Sequence, residues 1–177
     1  MPNYRRVWMP GGTYFFTVNL SRREKSDLLV RNIGFLREVV SKVRRRYPFK
    51  IHGWVVLPDH LHCVITLPGK DTDFSLRWRL IKGGFSRQVV QDEWLSASQK
   101  RRGERGIWQR RYWEHLIRDE RDFQAHMDYV HINPVKHGLV ERVVDWPYST
   151  FHRLSARGVY PNDWAGSEIA DILDYDG

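Results

Sequence analysis

The alternation of apolar and polar residues along the chain predicts strands and helices in a mixed order. The strand-like segments are residues 13–20, 50–57, 61–67 and 107–117, the last interrupted by charged residues. The predicted helices cover 31–47, 74–89 and a third segment that Asp119 caps and Pro134 closes. The order β-α-β-β-α-β-α predicts an α+β fold, a ferredoxin-like sandwich whose antiparallel sheet carries helices mainly on one face.

Length and composition add limits to this fold. The chain has 177 residues, which is enough for one domain with its own core. No apolar run approaches the ~20 residues that span a bilayer, and no apolar segment follows the basic residues near the N-terminus. The single cysteine, Cys63, excludes an internal disulfide and is typical of a reducing compartment. We therefore expect a cytoplasmic protein without a signal peptide.

The charge of the chain indicates a polyanionic partner. Lysine and arginine total 29 against 21 acidic residues, giving a net charge of +8. Aromatic residues stand among the arginines, and flat rings beside guanidinium groups suit the unstacked bases of single strands. The predicted DNA contacts are Arg5, Arg6, Arg44, Arg45, Arg46, Arg101, Arg102, Arg110 and Arg111. The alternative is that these arginines form solvated faces of a basic but otherwise ordinary protein.

The C-terminal segment differs from the rest in composition. Residues 161–177 contain five acidic residues and no lysine or arginine. We therefore divide the chain into a domain over 1–160 and an acidic tail over 161–177. Ser167 is placed to cap a short helix in this tail, and its acidic residues suggest a hypothesis of autoinhibition, in which they compete with DNA for a basic groove. A docked or disordered terminus is the alternative.

A pair of histidines marks the candidate metal site. In Pro58-Asp59-His60-Leu61-His62-Cys63, strand alternation places His60 and His62 on one face, about 7 Å apart at Cα. Two imidazoles at this spacing can bind one cation. The alternative is that both are exposed at a hairpin end without function. Alternation directs Cys63 into the core, so we leave it out of the site.

The predicted third helix supplies the other candidates. Tyr129 and Asn133 are four residues apart and share a helical face, which Asp122 and His126 continue. We expect this face to be polar and turned away from the core, with His131 outside the site. Asn133 is a candidate third, oxygen ligand of the metal; alternatively, it caps a short helix that begins at Pro134.

These residue types fit the cleavage of a phosphodiester. A divalent ion held by two histidines and an asparagine withdraws charge from a phosphate as a Lewis acid. A tyrosine nucleophile stores the bond energy in a phosphotyrosine, so that rejoining needs no ATP. Consistent with this, the sequence has no phosphate-binding loop of the G-x-x-x-x-G-K-[ST] type.

Three stretches resemble a known family. The strand context WVVLPDHLHCVITLP and the later segments WQRRYWEHLIRDE and YVHINPVKHGLV resemble the REP-associated tyrosine transposases, a branch of the single-tyrosine HUH transposases. The resemblance runs from the TYFFTVNL strand to WPYST, and leaves the chain after about Asp163 uncovered. An HUH motif in a Pro-Asp-His-Leu-His hairpin, followed some 65 residues later by Tyr-x-x-x-Asn-Pro, is a specific combination.

The resemblance implies a function. It implies the HUH fold, a Mg²⁺ or Mn²⁺ cofactor, and a 5′-phosphotyrosine intermediate. By position, His60 and His62 become metal ligands, Tyr129 the nucleophile and Asn133 the third ligand, where many relatives outside this branch have glutamine. It also implies binding of single-stranded DNA hairpins with a short recognition sequence beside them, by a monomer or a homodimer.

Two other functions remain as alternatives. A small-substrate metal hydrolase would use the histidine pair without Tyr129, but it would leave the basic charge unexplained. A DNA hairpin-binding protein that retains the fold without catalysis would keep the charge but not the chemistry. Replacing Tyr129 by phenylalanine separates the hydrolase from a tyrosine transposase, and cleavage of labelled hairpin DNA with and without Mn²⁺ separates the binding protein.

Overall fold

A computed structural model describes residues 6–90 and 95–166 of the chain. Its strands are β1 (Thr13–Asn19), β2 (Lys50–Val56), β3 (His60–Thr66) and β4 (Trp113–Leu116). Its α-helices are α1 (Leu28–Arg31), α2 (Ile33–Arg46), α3 (Phe74–Gln88), α4 (Ala97–Arg101), α5 (Glu120–Lys136) and α6 (Phe151–Ala156), with a 3₁₀ turn at Val143–Asp145 before α6. Arg5 and the predicted helix at Ser167 lie outside the described residues.

The four strands form one antiparallel sheet in the order β2-β3-β1-β4. This is the ferredoxin-like order, in which a hairpin joins β2 to β3 and helices connect the remaining strands. The predicted α+β fold with an antiparallel sheet is confirmed. The predicted fourth strand is shorter than expected. Over 107–112 the chain makes an isolated bridge from Trp108 to Leu20 and becomes a strand at Trp113.

Helices α2 and α3 cover one face of the sheet. Phe16 and Val18 from β1 lie in a core with Leu36 of α2 and with Trp78 and Phe85 of α3, all of them buried. Alternation explains the arrangement, because every second side chain of a strand points to this face. The connecting helices of the ferredoxin-like motif therefore lie on one face, as expected.

Helix α5 covers the opposite face, where it contacts β2 and β3. Phe15 and Val64 from the sheet form a second core with Met127, Tyr129 and Val130 of this helix. Asp119 caps α5 as predicted, since its carboxylate accepts a hydrogen bond of 2.8 Å from the Asp122 backbone N–H. The sheet thus lies between two helical layers. Helix α5, which forms the second layer, comes after β4 in the chain and so after the four strands of the ferredoxin-like motif.

Helix α5 does not end at Pro134, although the sequence predicted that it would. The helix continues to Lys136, and Gly138, with φ of +68°, follows it in the left-handed region that favours glycine. The alternative role of Asn133 as the cap of a new helix is therefore wrong. Asn133 lies within α5, where its Nδ2 donates to the Tyr129 carbonyl oxygen at 2.8 Å.

The first residues of the predicted tail pack against the domain. The Trp164 ring lies 4.7 Å from the Tyr160 ring and 6.1 Å from the Phe151 ring, measured between centroids. The predicted boundary between 160 and 161 stays a prediction. Within the described part of the chain, no helix combines the length and the apolar character needed to cross a membrane.

Candidate active site

His60 and His62 lie side by side on the face of the sheet that α5 covers. Their ring centroids are 4.9 Å apart, and both side chains are almost completely buried. Strand alternation brings them together as predicted. Their burial excludes the alternative in which both histidines are exposed at the end of a hairpin. The neighbouring strand β1 presents Asn19 opposite His60 and Thr17 opposite His62.

Each of these histidines has a partner at Nδ1. The His60 Nδ1 donates to the Asp59 carboxylate at 2.6 Å, and the His62 Nδ1 shares a hydrogen bond of 2.8 Å with the Thr17 hydroxyl. Burial acts to raise the pKa of Asp59, but hydrogen bonds from His60 and Arg23 outweigh it and lower that pKa to about 2. An ionised Asp59 fixes the proton of His60 on Nδ1. Such partners orient imidazoles that bind a metal through Nε2.

Tyr129 meets the histidine pair from α5. Its ring centroid is 5.2 Å from that of His62 and 5.8 Å from that of Phe15, both edge to face. The expectation that Tyr129 points away from the core is wrong, because its side chain is completely buried in the second core. The Lys136 ammonium lies 4.7 Å from the centre of the Tyr129 ring.

Asn133 lies one turn after Tyr129 and is also completely buried. Its Nδ2 donates to the Tyr129 carbonyl oxygen, which leaves Oδ1 without a hydrogen-bond partner among the described residues. A buried amide oxygen without a partner is costly, and a site that binds a cation or a polar ligand compensates that cost.

Several residues near the site were missed by sequence reasoning. Thr17 and Asp59 accept or share hydrogen bonds with the two histidines. Asn19 lies opposite His60 on β1, and its buried Oδ1 has no hydrogen-bond partner in the described ranges. The His137 ring centroid lies 5.1 Å from that of His60. Asp59 adjoins the histidine motif and could have been found there, whereas Thr17 and Asn19 needed the strand pairing.

Two residues left out of the predicted site lie elsewhere. Cys63 is buried among the α2 and α3 side chains, on the opposite face from His62, and burial raises the pKa of its thiol. His131 shares a hydrogen bond of 2.8 Å with the Thr150 hydroxyl, and burial lowers its pKa to about 4.

The other two polar residues of the predicted helical face form a separate cluster with His115 of β4. His115, Asp122 and His126 bring their donor atoms within 4.8 Å of one another, a group that could hold a metal ion. The Phe15 ring separates this cluster from the site, since its centroid is 4.9 Å from that of His126 and 5.6 Å from that of His62.

Most of the predicted DNA contacts lie at two clefts. A cleft of about 740 Å³ beside α3 includes Arg6, Arg102 and Arg110. A cleft of about 520 Å³ between α2 and the segment before α6 includes Arg44 and Arg45. The remaining described arginines of this set are exposed outside both clefts: Arg46, Arg101 and Arg111.

A backbone hydrogen bond links the wall of the larger cleft to β1, the strand that pairs with the histidine strand β3. Gln109, in its wall, donates its backbone N–H to the Asn19 carbonyl oxygen at 2.9 Å, and Asn19 pairs with His60. Three arginines outside the predicted set also line this cleft: Arg79, Arg87 and Arg105. This cleft is therefore strongly basic, and α3, which lines it, lies on the opposite face of the sheet from the histidine pair.

Comparison with known proteins identifies close relatives. Residues 16–133 match the family described as "Transposase IS200 like". The chain is 50% identical to a REP-associated tyrosine transposase of Escherichia coli K12, over 99% of this chain and 95% of the relative. A Haemophilus influenzae protein named for the same group is 44% identical, over 94% of this chain and 95% of that protein.

A solved structure supports the same grouping. The structure of a REP-associated tyrosine transposase bound to a REP hairpin matches with a TM-score of 0.82 and 49% identity. The match covers 99% of this chain and 96% of that one.

Proposed function

The chain belongs to the IS200-like transposases, and within them to the REP-associated tyrosine transposases, and on this premise we propose that it nicks and rejoins single-stranded DNA beside REP-type hairpins. It does so through a covalent 5′-phosphotyrosine on Tyr129, with a divalent ion held by His60, His62 and Asn133. The proposed partner is single-stranded hairpin DNA with a short recognition sequence, bound by a monomer or a homodimer.

The observation that carries this proposal is the convergence of two distant segments on one buried face. His62 from β3 and Tyr129 from α5 lie 5.2 Å apart between ring centroids, although 67 residues separate them in the sequence. A core position next to a histidine pair is an unusual environment for a tyrosine kept only for packing. A metal centre with an adjacent nucleophile explains the combination.

The residues present fit a divalent ion. His60 and His62 keep their Nδ1 atoms in hydrogen bonds with Asp59 and Thr17, the arrangement expected of histidines that bind through Nε2. Asn133 offers a buried Oδ1 that has no hydrogen-bond partner in the described part of the chain. Mg²⁺ or Mn²⁺ is the proposed ion, and when bound it supplies Lewis-acid polarisation of the phosphate.

The chain's own residues account for the bond changes. The Tyr129 oxygen attacks phosphorus as its proton passes to water, the bond from phosphorus to the 3′ oxygen breaks, and that oxygen leaves as a hydroxyl after taking a proton from water. The 5′ phosphate is then esterified to Tyr129, and attack by a 3′ hydroxyl reverses the step without ATP. The positive charge of Lys136, 4.7 Å from the Tyr129 ring centre, attracts the incoming phosphate.

The two basic clefts support single-stranded DNA as the substrate. The cleft with Arg79, Arg102 and Arg110 is basic enough to bind a DNA strand through its phosphates. The cleft beside α2 adds Trp54 and Tyr148, whose flat rings suit unstacked bases, next to Arg44 and Arg45. A relative of 49% identity bound to a REP hairpin supports the hairpin as the structured part of the substrate.

Cleavage of labelled REP hairpin oligonucleotides with a single-stranded flank tests the proposal. Wild-type protein with Mn²⁺ is expected to give a nicked product and a covalent protein–DNA band that resists denaturation. Tyr129→Phe should give neither, while it binds the hairpin as the wild type does. A nicked product from Tyr129→Phe would contradict the proposal and favour a tyrosine-independent metal hydrolase.

A second candidate function follows from the burial of Tyr129. Its side chain is completely buried, so a DNA phosphate reaches it only after neighbouring groups move. A protein that binds hairpins without cleaving them fits this closed site as well. Tight hairpin binding by the wild type, with no covalent band at any Mn²⁺ or Mg²⁺ concentration, would support that function instead.

A further inference from the structure

A group of three metal-ligand side chains joins β4 to the first turns of α5. The Asp122 Oδ1 lies 3.1 Å from the His115 Nε2 and 3.1 Å from the His126 Nδ1. All three donor atoms fall within 4.8 Å of one another. The cluster is partly open to solvent on one side, since the His115 and Asp122 side chains are 20% and 13% exposed, whereas that of His126 is buried.

We propose that His115, Asp122 and His126 form a second metal site, distinct from the catalytic one, that binds Zn²⁺ or a similar late first-row ion. The proposal does not rest on the proposed function of the chain. Its basis is the position and chemistry of three side chains that the phosphodiester chemistry does not use.

The spacing of the donor atoms fits a tetrahedral ion. Ligands bound to Zn²⁺ at about 2.0–2.2 Å in a tetrahedron are about 3.3–3.6 Å apart. Both spacings between Asp122 and the two histidines, 3.1 Å each, are close to that value. The spacing between the two histidine nitrogens has to close by a small side-chain adjustment. The partial exposure of His115 leaves room for water as a fourth ligand.

The donor set selects the class of ion. Two imidazoles with one carboxylate suit Zn²⁺, Co²⁺, Ni²⁺ or Cu²⁺, whereas Mg²⁺ and Ca²⁺ prefer sites made of oxygen atoms alone. The Phe15 ring, which contacts both His62 and His126, separates this cluster from the histidine pair. One ion cannot satisfy both groups of ligands.

Protons and one arginine occupy the cluster when no metal is bound. The His115 Nε2 donates to Asp122, and the His126 Nδ1 donates to the Asp122 carbonyl oxygen at 2.7 Å. The Arg118 backbone N–H donates to the same carboxylate at 2.9 Å, and its guanidinium Nε lies 3.6 Å away. An ion therefore binds here only after the ring protons move to the opposite nitrogens, His115 Nδ1 and His126 Nε2. The positive charge of Arg118 repels the ion, so removing that charge should strengthen binding.

Occupation of this site would fix the nucleophile helix to the sheet. His126 lies one turn before Tyr129 on α5, and His115 lies on the edge strand β4. An ion shared between them ties the N-terminal half of α5 to the sheet. We therefore expect Zn²⁺ to raise the thermal unfolding temperature, with the shift growing as the logarithm of the free Zn²⁺ concentration above the dissociation constant.

Metal titration of untagged protein tests the site without any cleavage assay. In a His60→Ala/His62→Ala background, calorimetric titration with Zn²⁺ should show one remaining ion per chain. Co²⁺ should give a visible absorption band from a low-symmetry site with nitrogen ligands. Arg118→Gln in that background should tighten binding severalfold.

Substitution of a single proposed ligand should weaken Zn²⁺ binding, the opposite of the effect expected for Arg118→Gln. His115→Gln and Asp122→Asn should each weaken Zn²⁺ binding at least tenfold and remove the Co²⁺ band. If the double background fails to fold, the stoichiometry of otherwise wild-type protein should fall by one ion with His115→Gln. An unchanged stoichiometry and affinity in His115→Gln would overturn the proposal, as would the absence of binding in the folded double variant.

Discussion

The two faces of the sheet differ in the polarity of what they bury. Nine polar or charged residues are buried in the described part of the chain, and seven of them lie on the face that α5 covers. They are Thr17, His60, His62, His126, Asp128, His131 and Asn133. Because each buried polar group costs free energy unless it is satisfied, this face is a poor solution for stability alone.

The face covered by α2 and α3 is an ordinary core. Phe16, Phe74 and Trp78 pack ring against ring, with centroids about 5.3 Å apart in the pairs made by Phe16. The comparison supports the proposal that one layer stabilises the domain while the other holds the active site. Variants that differ only in which face they disturb test that division.

Two adjacent phenylalanines make the strongest such test. Phe15 and Phe16 are both completely buried, but they point to opposite faces. Replacing either by alanine should lower the free energy of unfolding by about 3–5 kcal/mol, because each leaves a large cavity. Chemical denaturation measures this loss.

The milder leucine variants of the same pair separate stability from activity. Phe15→Leu should reduce hairpin cleavage by about tenfold or more, because Phe15 contacts the His62 and Tyr129 rings and sets their positions. Phe16→Leu should leave the cleavage rate of folded protein unchanged. Equal losses of activity in both variants would contradict the division between the faces.

The hydroxyl of Thr17 provides a second test, which disturbs only the face of the sheet that α5 covers. Thr17→Val keeps the shape of the side chain but removes its hydrogen bond to the His62 Nδ1. Partners of this kind orient metal ligands, so cleavage or Mn²⁺ affinity should fall by about 10–100-fold. Thr13→Val on the same strand is the matched control. Its hydroxyl bonds to Thr66 instead, and it should leave both quantities unchanged.

A third test concerns the buried charge of the α2 and α3 face. Arg77 is 2% exposed and donates to the Asp71 carboxylate at 2.7 Å. That hydrogen bond lowers the pKa of Asp71, so its contribution to stability is present above the unfolded pKa near 4 and is lost as the pH falls. Asp71→Asn should cost about 1–2 kcal/mol at pH 7, because solvent screens this partly exposed carboxylate.

The pH dependence supplies the control for this third test. The difference in stability between wild type and Asp71→Asn should shrink as the pH falls below the unfolded pKa near 4 and through the lowered pKa of the folded state, where the wild-type carboxyl becomes protonated. Denaturant unfolding at pH 7 and pH 3 measures the difference. Hairpin cleavage at pH 7 should be the same in both proteins, since Asp71 lies on the face without the histidine pair. A difference that persists at low pH would show that charge is not the cause.

The amino-acid sequence was sufficient to predict features that depend on residues close together in the chain. Alternation in β3 put His60 and His62 on one face, and Asp119 was correctly identified as the cap of α5. These predictions succeed because a strand repeats every two residues and a cap acts within one turn. The ferredoxin-like order followed from the sequence of elements alone.

Features that depend on distant pairing could not be predicted in the same way. Thr17 and His62 are 45 residues apart and meet only through the pairing of β1 with β3. The burial of Tyr129 was missed because its polar neighbours on α5 suggested an exposed face, whereas those neighbours face the sheet too. Pro134 was taken as the end of the helix, although a helix can continue past a proline when surrounding packing compensates.

The smallest expected effect compares the caps of the two helical layers. Asp73 caps α3 and Asp119 caps α5, each by accepting a backbone N–H at 2.8 Å. Replacing either by alanine should lower the free energy of unfolding by about 1 kcal/mol, because one N–H at the helix start loses its partner. Thermal unfolding with and without Zn²⁺ distinguishes them. Only Asp119→Ala should also weaken Zn²⁺ binding, because it loosens the first turn of α5, which holds Asp122. An equal loss of Zn²⁺ binding in Asp73→Ala would contradict the separation of the two layers.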